Sequence, residues 1–251
     1  MKELYSNLTK YEKTISWKSR FGAIYRLYIS KLWAHLIKDK RTWIFNSFMI
    51  LPIIVGPILA IVSYLQNSTI TEEVYFSNYS DVMFVGYFGL IIPFFTMYIA
   101  TMLFNDENND RTITYFTIRP INRFELVIVK YLAYLTIVPI FTGLTTGLVY
   151  FSFAIFGHFQ YFTMALWYFL GAIVAAIVYG AFFMFIGLLF KNPLWFGLFF
   201  VLIWEFVFAS FSQTFTKLTI AYYVKSLLVT DLAPNNPFEN SPIIIGLNQA
   251  G

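Results

Sequence analysis

The chain has 251 residues, of which 59% are apolar and only 12% are charged, and its mean hydropathy is +0.66. A typical soluble domain is about half apolar and about a quarter charged, so this composition argues against an ordinary water-soluble enzyme. Cysteine is absent and there are only two histidines, which excludes disulfides and cysteine-based metal sites. Ten of the 17 Lys and Arg precede residue 42, a distribution that carries information on membrane topology.

Residues 17–41 form the first predicted element, an amphipathic helix that does not cross the membrane. Apolar side chains recur there at helical spacing, at Phe21, Ile24, Tyr28, Leu32 and Leu36. A belt of Lys and Arg accompanies them, which predicts a helix along the inner membrane surface, its apolar side in the acyl boundary and its bases near anionic headgroups. The alternative is a soluble amphipathic helix packed on a partner. Residues 1–42 are thus predicted to be a cytoplasmic or interfacial basic segment.

Five apolar runs follow, and each is about as long as a helix needs to cross the hydrocarbon. Lipid offers no partner to backbone amides, and the runs lack the alternation of barrel strands, so each is predicted to be helical. The fold class is therefore an all-α, polytopic membrane protein, with one transmembrane domain and predicted spans at residues 43–65, 82–104, 131–156, 161–190 and 194–211.

The distribution of Lys and Arg orients these spans. The N-terminal segment and the connection 105–130 are basic, whereas the connection 66–81 carries only acidic charges. By the positive-inside rule the N-terminus is cytoplasmic in a multi-pass protein of the cell membrane. Five spans then place the tail, residues 212–251, outside, where residues 214–230 are predicted to form an amphipathic helix with Phe215, Leu218, Tyr222 and Leu228 on one side. A new apolar segment begins at residues 243–245, and we expect a sixth span after it.

Small residues line two of the predicted spans. Gly143 and Gly147 form a GxxxG pattern in the third span, and the fourth carries a row of small side chains at Gly171, Ala172, Ala175, Ala176 and Gly180. Such rows allow helices to approach closely. Packing within one chain is the favoured interpretation, and packing between two chains is the alternative.

The connection 105–130 is the most polar internal stretch of the chain. It predicts a short helix on the inner face, ended before Pro120 because the residue that precedes a proline is disfavoured in the helical region. Asn122 or Arg123 then opens the next helix, and Glu125 in its first turn suits the helix dipole.

This pattern resembles the hallmark of ABC-2 type transporter permeases, in which an acidic residue after the second span precedes a Thr, a Pro-containing turn, an Arg, a Glu and a Lys. The matching residues are Glu107, Asp110, Thr112, Pro120, Arg123, Glu125 and Lys130. Arg111 departs from the family, which commonly has Gly there. The resemblance extends to the basic N-terminal helix and to the pattern of spans.

The resemblance implies a permease subunit of an ATP-driven exporter that forms a substrate path as a homo- or heterodimer. Its connection 105–130 would be the coupling helix, docked on two cytoplasmic nucleotide-binding subunits that bind the ATP. The chain itself would need no cofactor or metal and have no catalytic residue, and it contacts membrane lipid and no nucleic acid. The residues implied in coupling to the ATPase are Glu107, Asp110, Arg111, Thr112, Tyr115, Phe116, Pro120, Arg123, Glu125 and Lys130.

Glu205 is the only acidic residue deep in a predicted span, and it lies near the membrane centre. An intramembrane carboxylate is costly and marks either a pathway or a helix interface. The chain contains no G-x-x-x-x-G-K-[ST] sequence, so a P-loop for ATP must come from a partner.

Two other functions remain open at this point, a noncatalytic membrane scaffold of a larger complex and a polytopic membrane enzyme. No residue pattern identifies the cargo, and the richness in Phe, Tyr and Ile is compatible with a prokaryotic origin.

Overall fold

The computed structural model of the protein describes residues 17–65, 78–109, 123–155, 162–207 and 217–232. Every regular element in these ranges is helical, which confirms the predicted all-α class for this part of the chain. In chain order the elements are α1 (Trp17–Lys38), α2 (Lys40–Leu65), π1 (Val82–Ile91), α3 (Ile92–Asn109), α4 (Arg123–Ala154), α5 (Phe162–Leu189), α6 (Pro193–Phe199), π2 (Phe200–Val207) and α7 (Ile220–Leu232).

Four of the five predicted spans form helices long and apolar enough to cross a membrane. The apolar stretches are Thr42–Leu59, Asn78–Phe104, Phe124–Ala154 and Phe162–Leu189. Each overlaps its predicted span, and two begin earlier, at Asn78 and at Phe124 instead of 82 and 131. The runs are helical because a long run without charges satisfies its backbone in lipid only as a helix. Helix α4 begins at Arg123, as the proline-containing turn before it predicts.

The second crossing, built from π1 and α3, lies at the centre of the bundle. Most residues of Asn78–Phe104 are buried, whereas few of those in Thr42–Leu59 are. The fourth crossing, α5, packs along both α3 and α4. Helix α2 is therefore the peripheral crossing, with most of its apolar surface turned outward.

Glycines allow the close packing of α5. A Cβ on Gly180 would collide with the ring of Tyr134 on α4, and one on Gly171 would meet Leu228 on α7. The predicted row of small residues on α5 is buried against helices of the same chain, which confirms intramolecular packing there. Gly143 meets Phe169 in the same way, whereas no described atom lies within 4 Å of a Cβ placed on Gly147.

Two segments are wound as π-helices, a feature that the hydropathy pattern does not predict. In π1, the backbone N–H of Ile92 donates to the carbonyl of Tyr87, five residues earlier. The second such segment, π2, continues α6 and packs against π1. π-helices are rare, and these two lie against each other in the bundle.

Helix α1 packs on the bundle through its apolar side, which the sequence analysis assigns to the acyl chains of the membrane. Tyr28, Leu32 and Leu36 are almost fully buried, and α1 packs chiefly along α4. That expectation is therefore wrong for these side chains, because they pack within the core of the same chain. The indole Nε1–H of Trp43 donates to the carbonyl of Ile37 across the junction between α1 and α2.

The fifth predicted span is described only in part. Its helix runs from Pro193 through α6 and π2 to Val207, and its apolar part, Pro193–Glu205, is shorter than the four long crossings. Residues 208–211 of the predicted span lie outside the described residues. Helix α7 begins at Ile220 and buries Ala221, Val224 and Leu228, whereas Leu218, predicted on the packed side, is 59% exposed.

Candidate functional site

The predicted coupling residues divide into those that the structure describes and those that it does not. Asp110, Arg111, Thr112, Tyr115, Phe116 and Pro120 lie outside the described residues. Glu107 and Arg123 belong to the backbones of α3 and α4, and their side chains lie outside the described part. Helix α3 ends at Asn109 and α4 begins at Arg123, and we call the end of the bundle that holds these two termini the connection face.

Lys130, the last of the predicted coupling residues, is buried near the connection face. Its side chain is 1% exposed, and its Nζ donates to the carbonyl of Leu103 at 3.0 Å. The Nζ also lies 4.2 Å from the ring centroid of Phe104 and 5.6 Å from that of Tyr28. Aromatic faces attract a cation, so Lys130 fastens α1, α3 and α4 to one another. A side chain this buried does not dock on a soluble partner directly.

Glu125 is the other described coupling residue, and it stands in the first turn of α4, half-buried. A carboxylate in the first turn is favoured by the positive end of the helix dipole. The residue one position before it, Phe124, is 81% exposed. The first turn of α4 therefore presents both an apolar ring and a charge at the connection face.

A second polar centre surrounds Glu205, far from the connection 105–130 in sequence. Glu205 is 1% exposed, and its carboxylate accepts three hydrogen bonds. The hydroxyl of Tyr179 on α5 donates at 3.0 Å. The backbone N–H of Ile220 and that of Ala221 donate at 2.9 and 3.1 Å. The carboxylate thus touches three elements at once, namely π2, which carries it, and α5 and α7.

Glu205 supplies a cap for α7 from a different helix. The first N–H groups of a helix have no partner within it. In α7 the first two go to Glu205, and the N–H of Tyr222 goes to the hydroxyl of Thr219 at 3.2 Å. A carboxylate is also favoured at this position by the positive end of the helix dipole, which offsets part of the cost of burying the charge.

Two further contacts hold the same region together. The indole of Trp204 donates to the carbonyl of Leu218 at 3.1 Å, so two adjacent residues of π2 bind the chain that enters α7. Lys225, on α7, has its Nζ 3.5 Å from the position of a Cβ on Gly89 of π1. The ammonium of Lys225 thus brings a positive charge to the helices that also hold Glu205.

The depth of this centre follows from its neighbours on α5. Phe190 stacks on Phe196 near the end of α5, and Glu205 meets Tyr179 further along the helix. Between Tyr179 and Leu189 a helix rises about 15 Å, whereas the whole hydrocarbon core is about 30 Å thick. The carboxylate therefore lies roughly halfway along the bundle, as expected from its position in the fifth run.

The contacts of this centre hold helices in place and are not those of a reaction site. All three donors point at one carboxylate, whose two oxygens are engaged. Within the described ranges no group of three or more His, Cys, Asp or Glu could hold a metal ion. The arrangement fixes the relative positions of α5, π2 and α7.

The sequence analysis identified Glu205 and missed its partners. Tyr179 lies in an apolar run where a tyrosine carries no signal of its own. Thr219 gave a usable signal, because Thr is a preferred N-cap residue and would have placed the start of α7 at Ile220.

Comparison with known proteins identifies a family. A protein-family model described as an ABC-2 family transporter protein matches residues 32–212. The matched segment begins within α1, includes the connection and the Glu205 centre on π2, and ends before α7. No curated protein and no solved structure matches the chain.

Proposed function

Because the chain belongs to the ABC-2 family of transporter membrane proteins, we propose that it is the permease subunit of an ATP-driven exporter. The predicted family is confirmed by this match, and with it a permease-type role in transport and a multi-pass membrane location. The match over residues 32–212 is the single observation that carries the proposal. Energy coupling, dimerisation and the choice of cargo belong to the proposal itself.

In this proposal the complex contains two cytoplasmic ATPase subunits, and the connection 105–130 of each permease chain docks on one of them. Members of this family generally partner with ATP-binding subunits. The ATP site lies on those partners, and the coupling residues of this chain are the ten named above, from Glu107 to Lys130. Two permease chains, identical or different, form the path for an amphipathic or lipid-like cargo.

Lys130 supports a mechanical role for this end of the bundle. The connection joins the end of α3 to the start of α4, and Lys130 ties these two helices to α1. A displacement of the connection by a partner would therefore move three helices together. Lys130 serves here as a positioning residue, and the residues that contact the partner lie nearer to the connection.

The topology that we propose has a cytoplasmic N-terminus in the cell membrane and five crossings, the fifth of which begins with α6 and π2. Residues 1–42 form the interfacial segment and 43–211 the spans, within one transmembrane domain. Residues 212–251 follow the spans, and their helix α7 packs back against π2 and α5. On α1 the side turned away from the bundle carries Leu27, Trp33 and Ile37, all at least half exposed. Exposed apolar side chains among basic residues are typical of a helix at a membrane surface, so we assign this outer side to lipid.

Co-purification with an ATPase tests the proposal. The complex is extracted from native membranes in mild detergent, and the bound nucleotide-binding subunit and its ATP hydrolysis are measured. We expect Glu107→Gln and Arg123→Ala to weaken the association or to change the hydrolysis rate. Lys191→Ala is the matched control, because Lys191 is an exposed base in the turn between α5 and α6, outside the connection.

Two outcomes would contradict the proposal. Repeated extraction that yields no nucleotide-binding subunit would exclude the coupling, and so favour a membrane scaffold or a membrane enzyme. Equal rates of ATP hydrolysis in all three variants and the wild type would show that the connection does not take part in the coupling.

A further inference from the structure

Lys225 is a cation on the part of α7 that packs into the bundle. Its neighbours Ala221, Val224 and Leu228 are buried, and Lys225 itself is largely buried, with a minor part of its side chain accessible. An ammonium carries a charge and three hydrogen-bond donors, so a buried lysine is rare unless it is paired. Within the described ranges no acceptor is hydrogen-bonded to its Nζ and no carboxylate forms an ion pair with it.

The contacts of α7 with α5 place Lys225 deep in the bundle. The start of α7 meets α5 through Glu205 at the level of Tyr179, and Leu228 meets Gly171. Lys225 lies between these two levels, near the midpoint of α5. The headgroups of a bilayer lie about 15 Å from its centre, since the hydrocarbon core is about 30 Å thick. The phosphates of the surrounding membrane lipids therefore do not reach this depth.

Beside Lys225, the backbone of π1 has little side-chain cover. The Nζ lies 3.5 Å from the position of a Cβ on Gly89, and the other described atom within 4 Å of that position is the carbonyl oxygen of Phe84. Val85 lies one turn from Gly89 on the same side of the π-helix, and it is 55% exposed. A Cβ on Gly86, next to Val85, would meet no described atom within 4 Å. We call Val85, Gly86 and Gly89 the uncovered strip of π1.

We infer that Lys225 binds the anionic group of the cargo, a phosphate or a carboxylate at the head of an amphiphile, beside the uncovered strip of π1. The inference rests on the proposed transport function, because a cargo drawn into the bundle brings an anion to this depth. A phosphate or a carboxylate supplies the acceptors that the ammonium needs, and such charge-assisted bonds are strong. The apolar chain of the amphiphile lies against the exposed side of π1 at Val85.

Glu205 is the counter-charge of Lys225 when no anion is bound. Its carboxylate attracts the ammonium but does not form an ion pair with it. Both carboxylate oxygens accept hydrogen bonds from other groups, namely the hydroxyl of Tyr179 and the amides of Ile220 and Ala221. Lys225 therefore balances the charge of Glu205 and still has its donors available to a ligand.

Photo-crosslinking tests the inference on the full chain. The protein is purified with the subunits that accompany it and placed in nanodiscs of phosphatidylcholine. The probe is dodecyl phosphate with a diazirine on its alkyl chain, and the uncharged control probe is dodecanol with the same diazirine. The yield of cross-linked chain is measured against the mole fraction of probe in the lipid, and the modified residues are mapped by mass spectrometry.

For the wild type we expect saturable cross-linking of π1 and α7 by the phosphate probe. Lys225→Met removes the charge and keeps a long side chain, and it should raise the half-saturating mole fraction about tenfold, the scale of one lost charge-assisted hydrogen bond. Lys225→Arg should bind nearly as well as the wild type, because it keeps the charge. Lys191→Met is the matched control, since it removes an exposed base from the turn between α5 and α6, and it should leave binding unchanged.

Three outcomes would overturn the inference. The first is equal half-saturation in the wild type and Lys225→Met. The second is an equal loss in Lys191→Met, because the effect would then be one of total charge. The third is an equal loss with the dodecanol probe, because the substitution would then have damaged the packing. Excess inorganic phosphate should not displace the probe, and displacement would overturn the assignment to an amphiphile.

A second variant tests the site without changing its charge. Gly89→Val places a branched side chain against the ammonium and should also raise the half-saturating mole fraction of the phosphate probe. Its control is Gly147→Val, at a position whose Cβ would meet no described atom within 4 Å. Unchanged binding in Gly89→Val would overturn the placement of the anion beside π1.

The failure of the proposed function gives a different result. In the complex, dodecyl phosphate should raise the rate of ATP hydrolysis for the wild type and not for Lys225→Met, and an equal rise in both would overturn the role of Lys225 in binding cargo. If no nucleotide-binding subunit accompanies the chain, no hydrolysis is measured and the transport proposal fails. The cross-linking comparison then still decides on the anion site.

Discussion

Replacing Gly180 with alanine is expected to destabilise the contact between α4 and α5. The added Cβ would lie 2.5 Å from Cζ and 2.7 Å from the hydroxyl oxygen of Tyr134. The ring cannot turn aside easily, because Tyr134 is fully buried and its hydroxyl donates to the carbonyl of Ala176 at 2.9 Å. Either the ring or the helix axis must shift. The matched control is Gly147→Ala on α4, whose Cβ would meet no described atom within 4 Å.

The comparison of the two variants isolates the packing cost. Alanine gains up to about 1 kcal/mol in helix propensity over glycine at either position, and this gain cancels in the difference. Overfilling a packed interior costs about 1–3 kcal/mol. We therefore expect Gly180→Ala to be less stable than Gly147→Ala by about 1–3 kcal/mol.

Unfolding by SDS in mixed micelles, followed by the fluorescence of the six tryptophans, measures this difference. Adding Tyr134→Leu to Gly180→Ala should recover part of the loss, because the smaller side chain removes the collision, and a double-mutant cycle gives the coupling energy. Free energies of unfolding that agree within about 0.5 kcal/mol, the range of ordinary surface substitutions, would refute the reasoning.

Two more substitutions are tested by the same assay. Lys130→Met should lower the free energy of unfolding by about 1–3 kcal/mol, because the carbonyl of Leu103 loses its donor. The control, Lys38→Met on the exposed end of α1, should have little effect. Equal losses in the two variants would contradict the assigned contact. Tyr87→Phe should cost about 1 kcal/mol, because the buried hydroxyl donates to a backbone carbonyl of α4. Tyr223→Phe, at an exposed position, should be neutral, and a similar cost there would refute the explanation.

The four long crossings could be predicted from sequence because each is an uninterrupted apolar run, and lipid leaves such a run only one way to satisfy its backbone. The start of α4 at Arg123 was also predictable from the proline before it. The π winding of π1 was not, because hydropathy is the same for α and π turns. The inward stripe of α1 was correctly identified as apolar, but periodicity alone does not say whether protein or lipid covers it.

For the candidate site, the unusual residue was predictable from sequence and its surroundings were not. Glu205 was recognisable because a lone carboxylate in an apolar run is rare. Its partners are the hydroxyl of Tyr179 and two backbone amides, and backbone groups leave no mark in a sequence. Only Thr219, a capping residue, pointed to the start of α7.

The packing of α1 has a practical consequence for shortened forms of the protein. Tyr28, Leu32 and Leu36 complete the wall of α4 and shelter Lys130. A chain trimmed to begin at Lys40 would expose that wall to solvent and leave the ammonium of Lys130 without Tyr28, one of its two aromatic neighbours. Fragments prepared for biochemical work should therefore retain everything from Trp17 onward, since those that lack this helix are expected to aggregate during extraction.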